Sequence, residues 1–141
     1  MTIALYAIVR QMSRKRVFKT KTFDRWVKKI IPDSVLCVAA REIERGQFEA
    51  DLGGGVCKKR VAIPGQGKSG STRVLVAKQH PEAIVFLVGR EKSTPGADFP
   101  DPVVEAVKTL ASSIQSQSIE QLDQAALKGE FKEICNGKEE Q

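Results

Sequence analysis

Between Leu52 and Pro81 the chain carries Lys58, Lys59, Arg60, Lys68, Arg73 and Lys78 and no acidic residue. A run of like charge repels itself and is costly unless a polyanion neutralises it, which makes nucleic acid the first candidate partner. A solvated, solubilising surface is the plain alternative. Lys58 and Arg60 lie two residues apart, so on a strand they share a face. Arg73 opens the next β-prone run and approaches them if the intervening loop closes a hairpin, and Lys92 lies just past a third run. A cationic pocket of that kind can bind RNA phosphate and neutralise the charge that builds when a 2′-hydroxyl attacks it. A lysine with a depressed pKa can move a proton without any histidine. From residue types alone, a phosphate-binding face without chemistry is the simpler reading.

The other reactive residue types do not assemble into a site. His80 is the sole histidine and sits beside Pro81 in a turn; a general base is conceivable, but an exposed turn residue is the expectation. A serine or cysteine nucleophile has no second histidine to draw on, and no carboxylate pair stands out because the β region lacks acids. Cys37, Cys57 and Cys135 are odd in number and widely spaced, with no CxxC. That disfavours a zinc site and a disulfide framework alike, and the expectation is three reduced, mostly buried thiols in a cytosolic protein with no metal and no cofactor. Ala62-Ile63-Pro64-Gly65-Gln66-Gly67-Lys68-Ser69 fits a relaxed phosphate-loop pattern, which would place Lys68 on terminal phosphates and Ser69 on magnesium. That chemistry needs a helix straight after Ser69, whereas Gly70-Ser71-Thr72-Arg73-Val74-Leu75-Val76 reads as a strand. The loop more simply joins two strands, and a nucleotide hydrolase is the weakest of the functional readings.

A chain of 141 residues with 41% apolar and 28% charged residues is one globular domain, too short for an eight-fold α/β barrel or a full dinucleotide-binding fold. The net charge of +6 conceals a split: residues 1–92 hold 19 Lys and Arg against 8 Asp and Glu, and residues 93–141 hold 4 against 9. The acidic second part is expected to cover one face of the sheet or to keep RNA away from it. The apolar run Thr2–Val9 is too short to span a bilayer and lacks signal-peptide flanks, so no membrane association and a cytoplasmic location are expected. Residues 1–11 read as an N-terminal extension ahead of Met12, either a misplaced start or a short added strand. Residues 12–134 then form the domain, and 135–141 form a frayed charged tail.

The elements that must position the basic residues follow from periodicity. Arg16–Thr20 is a first strand. Thr22 caps a helix with Phe23, Trp26, Val27 and Ile30 on one face, and Asp33 or Ser34 starts a second with Leu36, Ala39, Ala40 and Ile43 inward, ending at Gly46. The two helices are expected to form an antiparallel hairpin. Gly53-Gly54-Gly55 marks a switch to β structure. Val56–Ile63, Ser71–Gln79 and Ala83–Val88 form an antiparallel meander. Val103, Val107, Leu110 and Ile114 line a third helix. Ser118-Ile119-Glu120-Gln121 is a capping box for a fourth, which Gly129 closes, and Phe131–Ile134 is a small strand.

One order of residues extends across these elements: Arg16-Val17-Phe18-Lys19-Thr20-Lys21, Phe23, Trp26, Glu44-Arg45-Gly46, Asp51-Leu52-Gly53-Gly54-Gly55, Lys58-Lys59-Arg60-Val61-Ala62, Pro64-Gly65-Gln66-Gly67-Lys68 and Gly89, ending in Glu120-Gln121-Leu122, Ala125, Leu127 and Gly129-Glu130. It resembles the RelE/HigB-like toxins of bacterial type II toxin–antitoxin systems, over roughly residues 14–134. The resemblance implies a compact α+β, RelE-like fold, with an N-terminal helical hairpin packed on a small antiparallel sheet and C-terminal helices. It implies a metal-independent endoribonuclease that cleaves mRNA, often on the ribosome, and so inhibits translation. It also implies neutralisation by a cognate antitoxin encoded nearby, commonly a helix-turn-helix protein. Carried over, the catalytic positions are Arg60 and Arg73 on the scissile phosphate and Lys92 for proton transfer; Lys58, Lys59 and Lys68 are the RNA-binding ones. The chain departs from the pattern at Ser69, Ser71 and Ser93, and it has Val76, Val88 and Arg90 where relatives often carry base-stacking aromatics. A non-catalytic RNA- or ribosome-binding relative, a gyrase-inhibiting relative and a degenerate toxin are the alternatives.

Overall fold

The computed structural model describes residues 14–65, 71–91 and 98–137. The expected extension over residues 1–11, Lys68 and Ser69 in the loop, and Lys92 and Ser93 all lie outside these residues. The elements in chain order are β1 (Arg16–Thr20), α1 (Lys21–Val27), α2 (Asp33–Glu44), β2 (Ala50–Gly53), β3 (Val56–Ala62), β4 (Ser71–Ala77), β5 (Ala83–Glu91), α3 (Asp101–Gln115), α4 (Ile119–Leu127) and β6 (Phe131–Ile134).

The strands form one six-stranded sheet in the order β2-β3-β4-β5-β1-β6. The meander β3-β4-β5 is antiparallel, as the short connections require. The sheet is nevertheless mixed, because β1 lies parallel to β5 and antiparallel to β6. Strand β1 is separated from the rest of the sheet by both N-terminal helices, and a crossover of that length permits a parallel pairing that a hairpin does not. Strand β2 has no expected counterpart. It joins β3 through Gly54 and Gly55, both at positive φ (63° and 80°), which is the demand of a tight two-residue hairpin turn.

Alternation along the strands splits the core in two. Val17, Cys57, Val61, Val74, Val76, Ile84 and Phe86 meet α1 and α2 through Phe23, Val27, Leu36, Ala40 and Ile43. Phe18, Val56, Leu75, Ala77, Ala83, Val85 and Leu87 meet α3 and α4 through Val107, Ala111, Ile114 and Leu122. The two N-terminal helices bury the faces expected of them, with Trp26 and Ile30 partly covered. The face of α3 is rotated from the expected one: Ala111 is buried, and Val103 and Leu110 stay 38% and 42% exposed.

Several local expectations need correction. The cap of α1 is Thr20, not Thr22; its hydroxyl accepts from the Phe23 N–H, so the helix begins as soon as β1 ends. The capping box at Ser118 and Gln121 is present, and Gly129 closes α4 at φ 82°. His80 is not exposed but 2% accessible. Its Nδ1 accepts from the Glu82 N–H, and its Nε2 faces the Gln117 carbonyl as a donor at 2.8 Å. The ring thereby pins the β4–β5 turn to the end of α3.

The cysteine expectation is also overturned. Cys37 on α2 and Cys135 just after β6 form a disulfide, with Cα atoms 5.5 Å apart; Cys57 alone is free, and burial pushes its thiol up to about 12. Linear spacing carried no sign of this pairing, because it joins residues 98 apart that only the sheet brings together. Cys135 is therefore anchored at the start of the segment expected to fray.

Lys19 on β1 is 1% accessible, and its side chain lies between two carboxylates. Its Nζ lies 2.6 Å from Asp24 and 2.8 Å from Asp33, carboxylates in the first turns of α1 and α2. Both sit where a helix N-terminus favours negative charge, so one buried ammonium fastens two helix starts to the sheet.

Candidate functional site

Strand register decides which basic residues can act together. Arg60 on β3 stands directly opposite Arg73 on β4, and Arg73 stands directly opposite Arg90 on β5. Directly opposed residues of an antiparallel pair project to the same face. The row spans two interstrand spacings, about 10 Å in all, on the face whose core includes Leu75. Lys58, opposite Leu75, belongs to the same face one alternation away.

Arg90 joins the row through a β-bulge. Strand β4 pairs with β5 in steady register from Thr72↔Glu91 to Leu75↔Val88, then shifts so that Val76 meets Phe86, which leaves Leu87 as an extra residue. One extra residue reverses the facing of everything beyond it. Counted by strict alternation from Ala83, Arg90 would point toward α1 and α2. The bulge turns it to the face of Arg60 and Arg73, and turns Gly89 toward α1. A Cβ on Gly89 would lie 2.0 Å from the Trp26 ring, so only glycine admits this packing. Thr20 secures the bulge, since its hydroxyl donates to the Leu87 carbonyl at 3.1 Å while capping α1.

The remaining basic residues of the acid-free stretch have other occupations. Lys59 points to the opposite face, 7% accessible, donating to the Gln47 carbonyl at 2.8 Å and lying 3.2 Å from Glu42 of α2. It is thus separated from the row it was expected to join. Lys78 pairs with Asp51 at 3.2 Å and lies over the Phe48 ring. Lys58 reaches Asp98, 2.5 Å away, just ahead of α3. That lysine holds the Asp98 carboxyl below the usual carboxylate range, with the Phe99 N–H and the charge of Arg73 adding to the effect. Among the described residues, no carboxylate pairs with the side chain of Arg60 or Arg73. Arg60 is exposed and Arg73 half-buried.

Like charges placed opposite each other across a sheet are destabilising, so an anion bound between Arg60 and Arg73 relieves their repulsion. Guanidinium groups match phosphate geometry in a planar, bidentate way, and strands hold them with little freedom to lose on binding. The arrangement can bind a phosphodiester and stabilise added negative charge on it. Among the described residues no group of three or more His, Cys, Asp or Glu could hold a metal ion, and no helix is long and apolar enough to cross a membrane.

Sequence reasoning found Arg60, Arg73 and Lys58 but not Arg90 or Asp98. Arg90 was hidden because the bulge that reorients it leaves no mark on an apolar run. Asp98 was hidden because its partner lies 40 residues earlier in the chain. In comparison with known proteins, the family model described as "RelE toxin of RelE / RelB toxin-antitoxin system" matches residues 15–134. No curated protein matches the chain.

Proposed function

The chain belongs to the RelE toxin family, whose members pair with an antitoxin, and from that premise we propose that it is an mRNA endoribonuclease that inhibits translation in the cytoplasm. The observation that carries this reading is the in-register pair Arg60 and Arg73, two arginines on one face of the sheet with no carboxylate partner among the described residues. In the reaction proposed, the 2′-oxygen forms a bond to the neighbouring phosphorus and the bond from phosphorus to the 5′-oxygen breaks. The 2′-hydroxyl proton leaves to a base, and a proton is delivered to the departing 5′-oxygen. Negative charge accumulates on the non-bridging oxygens meanwhile, and Arg60 and Arg73 are assigned to bind and stabilise it. Arg90, in register with them, extends the phosphate-binding surface. Lys58 and Lys68 are assigned to the RNA backbone and Lys92 to proton transfer. His80 is committed to Glu82 and Gln117 and has no part in the chemistry.

The partners proposed are mRNA, engaged alone or on the ribosome, and a cognate antitoxin of the helix-turn-helix type. An acidic antitoxin segment laid across the arginines would compete with RNA for them. The test is to express the chain without an antitoxin and follow growth and transcripts together. Arrest with cut mRNA, abolished by Arg60→Ala or Arg73→Ala, is the expected result. Arrest with intact transcripts would transfer the assignment to ribosome binding or gyrase inhibition, which a supercoiling assay separates. Normal growth at good expression would point to a degenerate toxin.

A further inference from the structure

On the basic face the carboxylate of Asp98 is ion-paired to Lys58. Its Oδ2 lies 2.5 Å from Lys58 Nζ, and its Oδ1 accepts from the Phe99 N–H at 2.8 Å. The Asp98 side chain is 45% exposed and that of Lys58 20%, so the carboxylate reaches a partly covered lysine from the solvent edge. Lys58 shares its face with Arg60, two residues along β3, and Arg73 is near enough to help hold Asp98 ionised. A carboxylate and a phosphodiester offer such cations the same thing, a pair of anionic oxygens.

We infer that Asp98 is an internal anion that occupies the Lys58 end of the arginine row, and that an RNA phosphate reaches Lys58 only by displacing it. The inference rests on the proposed function for the identity of the polyanion, but not for the competition itself. Partly exposed ion pairs are weak, so exchange with an incoming phosphate is feasible. Arg60 and Arg73 take the RNA first, and the Lys58 contact forms only when the strand is held closely enough to dislodge Asp98. Asp98 thereby sets affinity and discriminates between loosely and fully seated strands. Asp101 is the built-in control: it lines the same cleft with Lys58 and carries the same charge, but makes no pair with Lys58.

The test is fluorescence anisotropy with a labelled, non-cleavable 2′-O-methyl single-stranded oligonucleotide, measured across a range of salt. The proteins are the full chain, Asp98→Asn, Asp101→Asn, Lys58→Gln and the Asp98→Asn/Lys58→Gln double variant. Asp98→Asn should tighten binding about fivefold and steepen the salt dependence by roughly 0.7, the increment for one further single-strand phosphate contact. The gain should vanish when Lys58→Gln is present, and Asp101→Asn should give much less. Unchanged or weaker binding by Asp98→Asn, an equal gain from Asp101→Asn, or a gain that survives Lys58→Gln would each overturn the inference. Inorganic phosphate, titrated against the Lys58 and Arg60 amide resonances, separates this from the RNA assignment. If no protein binds the oligonucleotide, the RNA reading fails, and phosphate still decides. Tighter phosphate binding by Asp98→Asn upholds the internal anion, and equal binding overturns it.

Discussion

Arg60 and Arg73 stand directly opposite each other on neighbouring antiparallel strands. Two positive charges so placed cost stability and are retained only where something else rewards them. The first prediction needs no RNA. Arg60→Gln or Arg73→Gln should leave the fold intact and raise its stability by about 0.2–1 kcal/mol, and the two effects should not add, because either change removes the same repulsion. Urea unfolding at low salt measures this. Additive losses of stability would mean that the two side chains do not face each other.

Gly89 is the contact on which the opposite face depends. Gly89→Ala places a methyl group within the Trp26 ring, a clash the rigid indole cannot relieve by a small shift. The expected cost is about 1–3 kcal/mol, in the range for an overfilled core. Adding Trp26→Leu should recover part of it. A neutral Gly89→Ala would contradict the close approach of α1 to β5.

Thr20 joins two features in one side chain, capping α1 and bonding the Leu87 carbonyl at the bulge. Thr20→Val keeps the shape and removes both bonds. The expected loss is about 1–2 kcal/mol, with amide-exchange protection falling first around Phe23 and Leu87. Thr22→Val, one turn position away, should cost far less.

Acid should weaken the molecule through the buried Lys19. The Lys19 side chain, ion-paired to Asp24 at 2.6 Å, leads the causes that lower the Asp24 pKa in the folded state. A folded-state pKa below the unfolded one contributes stability above the unfolded value and loses it as pH falls through the folded value. Stability should therefore fall as pH drops through and below the ordinary carboxylate range. Asp24→Asn should be less stable than the wild type at neutral pH, and the gap should close in acid. Urea midpoints over a pH series read this directly; a constant gap would show that Asp24 and Lys19 are not coupled.

The disulfide closes a loop of residues 98 apart in sequence. Reduction, or Cys37→Ser, should cost up to about 4.7 kcal/mol on the loop-entropy account. Cys37 packs in the core beneath α2, on the face opposite the arginine row. Nucleic-acid binding at a temperature well below the unfolding transition should thus be the same with and without reductant.

Local signals in the sequence were informative where one side chain decides an outcome. Gly46 and Gly129 ended helices, Ser118 and Gln121 built a cap, and the Leu36–Ala39–Ala40–Ile43 face reached the core. The pairing of Arg60 with Arg73 was also legible, since a hairpin joining two β-rich runs aligns their basic residues. What depended on distant partners was not. The disulfide, the burial of His80 against Gln117, the seating of β1 between β5 and β6, and the diversion of Lys59 to Glu42 all arise from contacts that only the folded sheet creates. The bulge at Leu87 is the sharpest case, because one unmarked residue in an apolar run determines which way Arg90 faces.

The most direct test of the central claim is a double-mutant cycle on cleavage of a defined RNA under single-turnover conditions, using Arg60→Ala, Arg73→Ala and the double variant. Arginines that act as one unit on a single phosphate should each cost about 100-fold or more, and the double variant should lose little beyond either single change. Independent, multiplying losses, or a full cleavage rate without one of them, would contradict the shared phosphate site.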